Sequence, residues 1–346
     1  MEAVRLLEWA AGPKLVEVDE PTPGPGEVVV RVAGAGVCHS DLYLLDASAG
    51  QLPFRPPFTL GHEIAGWVSR VGAGVDDVAV GEAVVVYGPA GCGACPRCAR
   101  GAENYCDRRA DVGSAGLGLG RDGGMAGEVL VPSTRLLVPL GELDPRTAAP
   151  LTDAALTPYH AIARCRRHLD EGSLAVVIGV GGLGHVAVQL LKTLTQCDIV
   201  AVDTRTAALD LAVRAGADHV TGPDQSERVI RAASQGRGAD VVFDFVGASA
   251  TLALAVEVLR TDGELAIVGS GGGQLTLAKP ARLPFGTTVS LPFWGTRGEL
   301  ADVVALAQRG LHVETTQFPL DEAERVFEEL RAGALVGRAV LVPNEV

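Results

Sequence analysis

The sequence predicts an α/β chain of two domains, one β-rich with long loops and one built on a doubly wound parallel sheet. Three observations predict it. Residues 1–150 hold short Val-rich runs, such as EVVVRVA (27–33) and EAVVVYG (82–88), between turn signals such as PTPGPG (21–26), with no long helical period. From about residue 170, apolar strand-like runs alternate with helical patterns, which implies parallel strands covered by helices on both faces. A length of 346 residues is sufficient for two buried cores.

The elements of the second half can be assigned in order. LAVVIG (174–179) reads as a strand leading into a helix that runs to about Lys192. DIVAVD (198–203) leads into AALDLAVRAG (207–216), and ADVVFDFVG (239–247) into TLALAVEVLR (251–260). ELAIVG (264–269) and TVSLPF (288–293) are further strands, followed by helices near 299–309 and 321–332 and a last strand RAVLVP (338–343). No repeat appears at solenoid periods.

Composition excludes several classes of function. Hydrophobic residues make up 47% and charged residues 21%, the mixture of a globular protein. A net charge of −13, with RCRRH (164–168) the densest basic run, argues against binding nucleic acid. The uncharged stretch 174–191 has the length of a membrane span, but four glycines, His185 and Gln189 weaken that reading. MEAVRLLEWAAGPKL lacks a basic start followed by a long apolar run, so a cytoplasmic protein is expected.

Gly179, Gly181 and Gly184 form G-x-G-x-x-G, with Gly182 and Leu183 inside the turn. The first Gly ends an apolar strand and the third opens a helix, while Asp203 lies 19 residues after Gly184 at the end of the next strand. The first Gly permits the tight turn, the second admits backbone to a pyrophosphate, and the third lets helix and strand pack closely. The helix N-terminus offers unpaired N–H groups to the phosphates. Asp203 is placed to accept from the adenosine ribose and to repel an extra phosphate, which favours NAD over NADP; Arg205 works against that preference.

Two sets of residues have the chemistry of metal ligands. Cys92, Cys95, Cys98 and Cys106 fall within 15 residues, in a loop of about 91–107. Four thiolates at this spacing close a tetrahedron with no open position, so a structural zinc is expected. The second set is dispersed. Cys38 lies in GVCHSD (36–41) and His62 in GHEIAG (61–66), two Gly-flanked polar loops with acidic neighbours. A catalytic zinc needs about three protein ligands and an open site. Spacing alone does not identify the third.

GHEIAGWVSRVGAGV (61–75) resembles the signature GHE-x2-G-x5-G-x2-V of the zinc-dependent medium-chain alcohol dehydrogenases, with every fixed position present. The four-Cys loop, the glycine turn and C-H-S-D occur in that family's order, so the resemblance covers essentially the whole chain. It is closest to bacterial NAD-dependent secondary-alcohol dehydrogenases. The resemblance implies a GroES-like catalytic domain (1–154 and 294–346), a Rossmann domain (155–293) and an active site in the cleft between them.

The resemblance also implies roles, position by position. The family's third ligand stands in C-A-G-x-T-x-Y; here that stretch is DAALTPY (153–159), which makes Asp153 the ligand and Cys165 its rival, and sets Thr157 beside the nicotinamide. Glu63 approaches the zinc from behind, Asp41 orients His62, and Ser40 receives the alcohol proton. His39 and Arg338 fall near the pyrophosphate. Tyr43 occupies a position where many relatives carry the His that ends the proton relay. Tyr43, Phe54, Leu119, Phe293 and Trp294 are expected in the substrate pocket or, equally, in plain core.

The function implied is reversible, NAD-linked oxidation of a small or hydrophobic, secondary alcohol, with two zinc ions per subunit and a homodimer or homotetramer as the assembly. The alternatives are a polyol or other primary-alcohol dehydrogenase of the same fold, and a non-catalytic NAD-binding protein that keeps a structural zinc.

Overall fold

The computed structural model describes residues 1–279 and 283–343. The chain divides into two compact units, Met1–Leu156 with Trp294–Val346, and Thr157–Phe293. Among the described residues, no helix is long and apolar enough to cross a membrane.

The first unit is built on a seven-stranded sheet. Its axis is the ten-residue strand Val28–Val37, buried at nine positions, which pairs antiparallel with Glu63–Val71, Glu128–Val131 and Arg338–Val342. Ala83–Val86 and Leu137–Pro139 extend one side, and Thr315–Pro319 lies parallel to Arg338–Val342 on the other. A three-stranded sheet orders Lys14–Glu17, Glu2–Leu6 and Phe58–Thr59. Both bounding segments of the chain therefore serve one sheet, because Arg338–Val342 lies directly beside Val28–Val37.

One helix in this unit escapes the hydrophobic pattern. His39–Asp46 begins immediately after Cys38, where the sequence pattern predicts a loop. Eight residues are too few to display a helical period, but the start is written locally. Cys38 is the N-cap, and Asp41, three residues on, accepts its backbone N–H at 2.9 Å. The same carboxylate reappears in the site below.

The second unit is a six-stranded parallel sheet ordered His219–Thr221, Asp198–Val202, Leu174–Ile178, Ala239–Asp244, Leu259–Ile267, Thr288–Ser290. In chain order that is 3-2-1-4-5-6, so the order reverses beside Leu174–Ile178, where dinucleotides bind in doubly wound sheets. Every residue of Leu174–Ile178 is buried, as expected of a strand covered on both faces. Val176, Val200, Val242 and Leu265 from the strands pack with Ile230, Ala255 and Val258 from the helices.

Three expectations for this unit change. The strand at TVSLPF shortens to Thr288–Ser290, because Pro292 lacks a ladder donor and Leu291 is turned to solvent. ELAIVG starts earlier, at Leu259, with a register shift opposite Ala239–Val241. The sequence pattern does not mark His219–Thr221 or the helix Pro223–Ala233; the first is too short to alternate, and the second has Pro and Asp224 in its first turn but only Val229 and Ile230 as large apolar residues toward the core.

Candidate functional site

The dispersed ligand residues converge in the first unit. Cys38 caps its helix, His62 sits immediately before the strand Glu63–Val71, and Asp153 follows the turn Ala149–Thr152. The Cys38 sulfur, a carboxylate oxygen of Asp153 and a ring nitrogen of His62 all lie within 4.8 Å of one another. Cys38 Sγ and His62 Nε2 are 3.6 and 3.7 Å from Asp153 Oδ2. Ligand bonds of about 2.0–2.3 Å in a tetrahedron need donor separations of roughly 3.3–3.8 Å, so this set fits zinc.

The surroundings fix the donors. Asp41, wholly buried, accepts the Cys38 N–H through Oδ2 and faces His62 Nδ1 through Oδ1 at 3.1 Å. An ionised carboxylate only accepts, so Nδ1 donates to Asp41, and Nε2 faces Cys38 and Asp153, where it would give its lone pair to a bound metal. Burial pulls the His62 imidazole pKa down, but Asp41, Asp153 and Cys38 outweigh it and hold it well above its ordinary value. The pocket thus favours positive charge at the point where a metal would sit.

Behind the donors stands a buried ion cluster. Arg338 donates to both oxygens of Glu63, the shortest bond being 2.6 Å, and its Nη2 is 3.4 Å from Asp153 Oδ2. Glu63 also accepts the Ala154 N–H at 3.0 Å, which ties down the chain just after Asp153. Gly36 makes this possible: a Cβ there would fall 1.7 Å from Glu63 Oε2. Burial pushes the Glu63 carboxyl up, with Arg338 opposing. Arg338, expected near the pyrophosphate, is 3% exposed, with its guanidinium on the carboxylates of Glu63 and Asp153. Spacing offered no signal for this pairing, since the partners are 275 residues apart.

The other expected residues are placed as follows. Ser40 is exposed, with Oγ 3.6 Å from Cys38 Sγ, and His39 is exposed beside it. Tyr43 is 44% exposed and its hydroxyl accepts from Gln51. Phe54 is buried, with its ring against those of Trp9 and Phe58. Leu119 is buried in a turn whose neighbours Gly118 and Gly120 press on Gly61 and Phe54. Trp294 is buried with its ring edge-on to His62. Phe293 is 37% exposed. Cys165 is buried at the end of the helix Leu156–Cys165, its thiol pushed up by burial and by Glu264, and it is not a member of the ligand cluster. Thr157 is buried in the first turn of that helix.

The second metal set is compact. The sulfurs of Cys92, Cys95, Cys98 and Cys106 lie within 4.8 Å of one another, with Cys92–Cys98 and Cys95–Cys106 both at 4.0 Å. A zinc tetrathiolate with bonds of about 2.3 Å spaces its sulfurs at roughly 3.8 Å. Backbone N–H groups of Cys95, Cys98 and Arg108 point at the sulfurs of Cys92, Cys95 and Cys106. The N–H of Cys98, against some burial, pulls the Cys95 thiol down to about 6, while burial and the neighbouring sulfurs push the Cys98 thiol up to about 12.

In the second unit, Gly179 has φ +86° and its N–H meets Val202 O at 2.8 Å. A Cβ on Gly184 would stand 2.0 Å from Gly179 O, so the helix Gly184–Leu194 approaches the turn as only glycine allows. Gly182 and Leu183 complete the turn, half-buried. Asp203 accepts from Val180 N–H at 2.8 Å and Arg205 N–H at 2.9 Å, and pairs with Arg205 Nε at 3.2 Å. A nucleotide ribose would therefore share this carboxylate with Arg205.

Residues 24–142 match the alcohol dehydrogenase GroES-like domain, and residues 182–309 match the zinc-binding dehydrogenase domain. The chain is 35% identical to an NAD-dependent alcohol dehydrogenase of Sulfurisphaera tokodaii, over 99% of this chain and all of that one. It is 32% identical to a D-arabinose 1-dehydrogenase (NADP(+)) of Saccharolobus solfataricus, over 99% and 97% of the two chains. The crystal structure of an alcohol dehydrogenase from Aeropyrum pernix matches with a TM-score of 0.92 at 36% identity, over 99% of this chain and 100% of that one.

Proposed function

This chain belongs to the zinc-dependent medium-chain alcohol dehydrogenase family, and on that premise we propose that it oxidises small or hydrophobic secondary alcohols to ketones with NAD, reversibly. The observation that carries the proposal is the convergence of Cys38, His62 and Asp153 on one point, with donor separations that suit zinc. Zinc bound there supplies a Lewis acid that acidifies an alcohol, and NAD supplies the hydride acceptor.

The chain's own residues do the rest. Asp41 holds His62 in the tautomer that offers Nε2 and holds the Cys38 backbone in the same stroke. Arg338 and Glu63 steady Asp153 from behind. Ser40, exposed beside Cys38, takes the alcohol proton at Oγ and passes it outward. Tyr43 replaces a base at the relay's next position, and its exposed phenol favours release of the proton to solvent or the cofactor ribose. Gly179 makes the turn, Gly181, Gly182, Leu183 and Gly184 carry the backbone N–H groups that would meet the pyrophosphate, and Asp203 selects NAD. Cys92, Cys95, Cys98 and Cys106 hold a second, structural zinc, for two per subunit. The protein is cytoplasmic in this reading, where a reducing poise keeps its seven cysteines out of disulfides, and it works as a homodimer or homotetramer.

The test is an alcohol panel read by NADH absorbance, with NAD and NADP in parallel. Secondary alcohols with NAD should give the highest kcat/KM, and Asp203→Gly should narrow the gap between cofactors. A preference for polyols or sugars, or equal kcat/KM with NADP in the unmodified enzyme, would overturn the substrate or cofactor assignment.

A further inference from the structure

We propose that Trp294 is a positioning residue for the Cys38–His62–Asp153 metal site, holding two of its three ligands at once; the proposal rests on that site being the zinc site. Its indole N–H donates to Thr152 O at 2.8 Å. Thr152 is the residue before Asp153, and the residue after it, Ala154, gives its N–H to Glu63 at 3.0 Å. The backbone of Asp153 is thus pinned on both sides, by Trp294 in front and Glu63 behind. The indole also stands edge-on to the His62 ring, at 5.6 Å between centroids and an interplanar angle of 90°. A perpendicular aromatic neighbour limits how far the imidazole can tilt about the axis that aims Nε2.

The seat of this indole is built for it. Trp294 has φ +54°, a left-handed conformation that a bulky residue rarely adopts unless its surroundings impose it. Here they do. The next residue, Gly295, has its carbonyl gripped by the buried hydroxyl of Tyr87 at 2.6 Å, and Tyr87 Oη accepts from Asn104 N–H at 3.4 Å. Asn104 belongs to the four-Cys loop, so that loop reaches the catalytic ligands through Tyr87, Gly295 and Trp294. Gly88 leaves the space: a Cβ there would lie 2.6 Å from the indole. Trp294 is 4% exposed, so its hydrogen bond and its ring contact are both shielded from water.

The experiment follows zinc release from the loaded enzyme to a chromophoric chelator. Unmodified enzyme should lose one zinc faster than the other, and Cys38→Ser should abolish the faster phase, which identifies it. Trp294→Phe keeps an aromatic edge beside His62 but removes the N–H to Thr152. It should speed the Cys38-dependent phase by about tenfold or more, the size seen when partners behind metal ligands are removed. It should lower kcat, and leave the slower zinc and the KM for NAD unchanged. Trp294→Leu, which loses the ring as well, should release faster still. Faster loss of the slower zinc, or a fall in kcat with an unchanged release rate, would overturn the assignment. Should Trp294→Phe not fold, Tyr87→Phe carries the test: it frees the Gly295 carbonyl and should speed the same phase, and an unchanged rate would overturn the proposal. If Cys38→Ser instead keeps both zincs, the metal-site reading itself falls, and the role of Trp294 falls with it.

Discussion

Asp153 places a carboxylate where the family pattern carries a thiolate, and the buried cluster around it follows from that charge. Its Oδ2 faces Cys38, His62 and Arg338 at 3.6, 3.7 and 3.4 Å, so the oxygen offered to the metal is also held by a buried cation. Asp153→Asn keeps the size and removes the charge. It should lower zinc retention and kcat together by about tenfold or more, whereas Cys165→Ser, buried beside Glu264, should change neither. Chelator release and turnover on the two variants check this, and the reverse pattern would transfer the ligand role to Cys165. Cys38 and His62 were legible because each lies in a short polar segment with its acidic partner, and Asp153 was legible only through its resemblance to a family pattern. The pairing of Arg338 with Glu63 was not legible, because an ion pair formed across 275 residues leaves no trace in local spacing. Trp294 could be assigned to a wall but not to Thr152, since its φ and its partner are consequences of packing.

At the scale of elements, legibility followed burial. Leu174–Ile178 and Ala239–Asp244 are buried throughout and were readable as uninterrupted apolar runs. His39–Asp46 and Pro223–Ala233 were not, because one is too short for periodicity and the other is strongly polar on its exposed face. The strand Thr288–Ser290 was placed correctly but drawn too long. It forms the outer edge of the six-stranded sheet, and the chain just beyond it exposes Leu291 at 72% and Phe293 at 37%. An open edge flanked by exposed apolar side chains invites a partner, and a second copy across a two-fold axis would extend the sheet. Light scattering at micromolar concentration should therefore give a dimer, or a tetramer made of two. Leu291→Lys should shift the population toward monomer, and a monomeric unmodified protein would remove the argument.

At the scale of the whole molecule, the proposed function divides the two sets of metal-type donors between chemistry and shape. The four-Cys set offers no open position, while the Cys38 set offers three donors beside an exposed hydroxyl. Losing Cys95 should therefore lower Tm, and losing Cys38 should stop turnover while the fold persists. The most direct test of the account is zinc content and NADH formation from propan-2-ol, measured together on the unmodified protein and on Cys38→Ser. The account predicts two zinc ions per subunit and turnover in the first, then one zinc, no turnover and a similar Tm in the second. A single zinc in the unmodified protein, or turnover that survives Cys38→Ser, would contradict it.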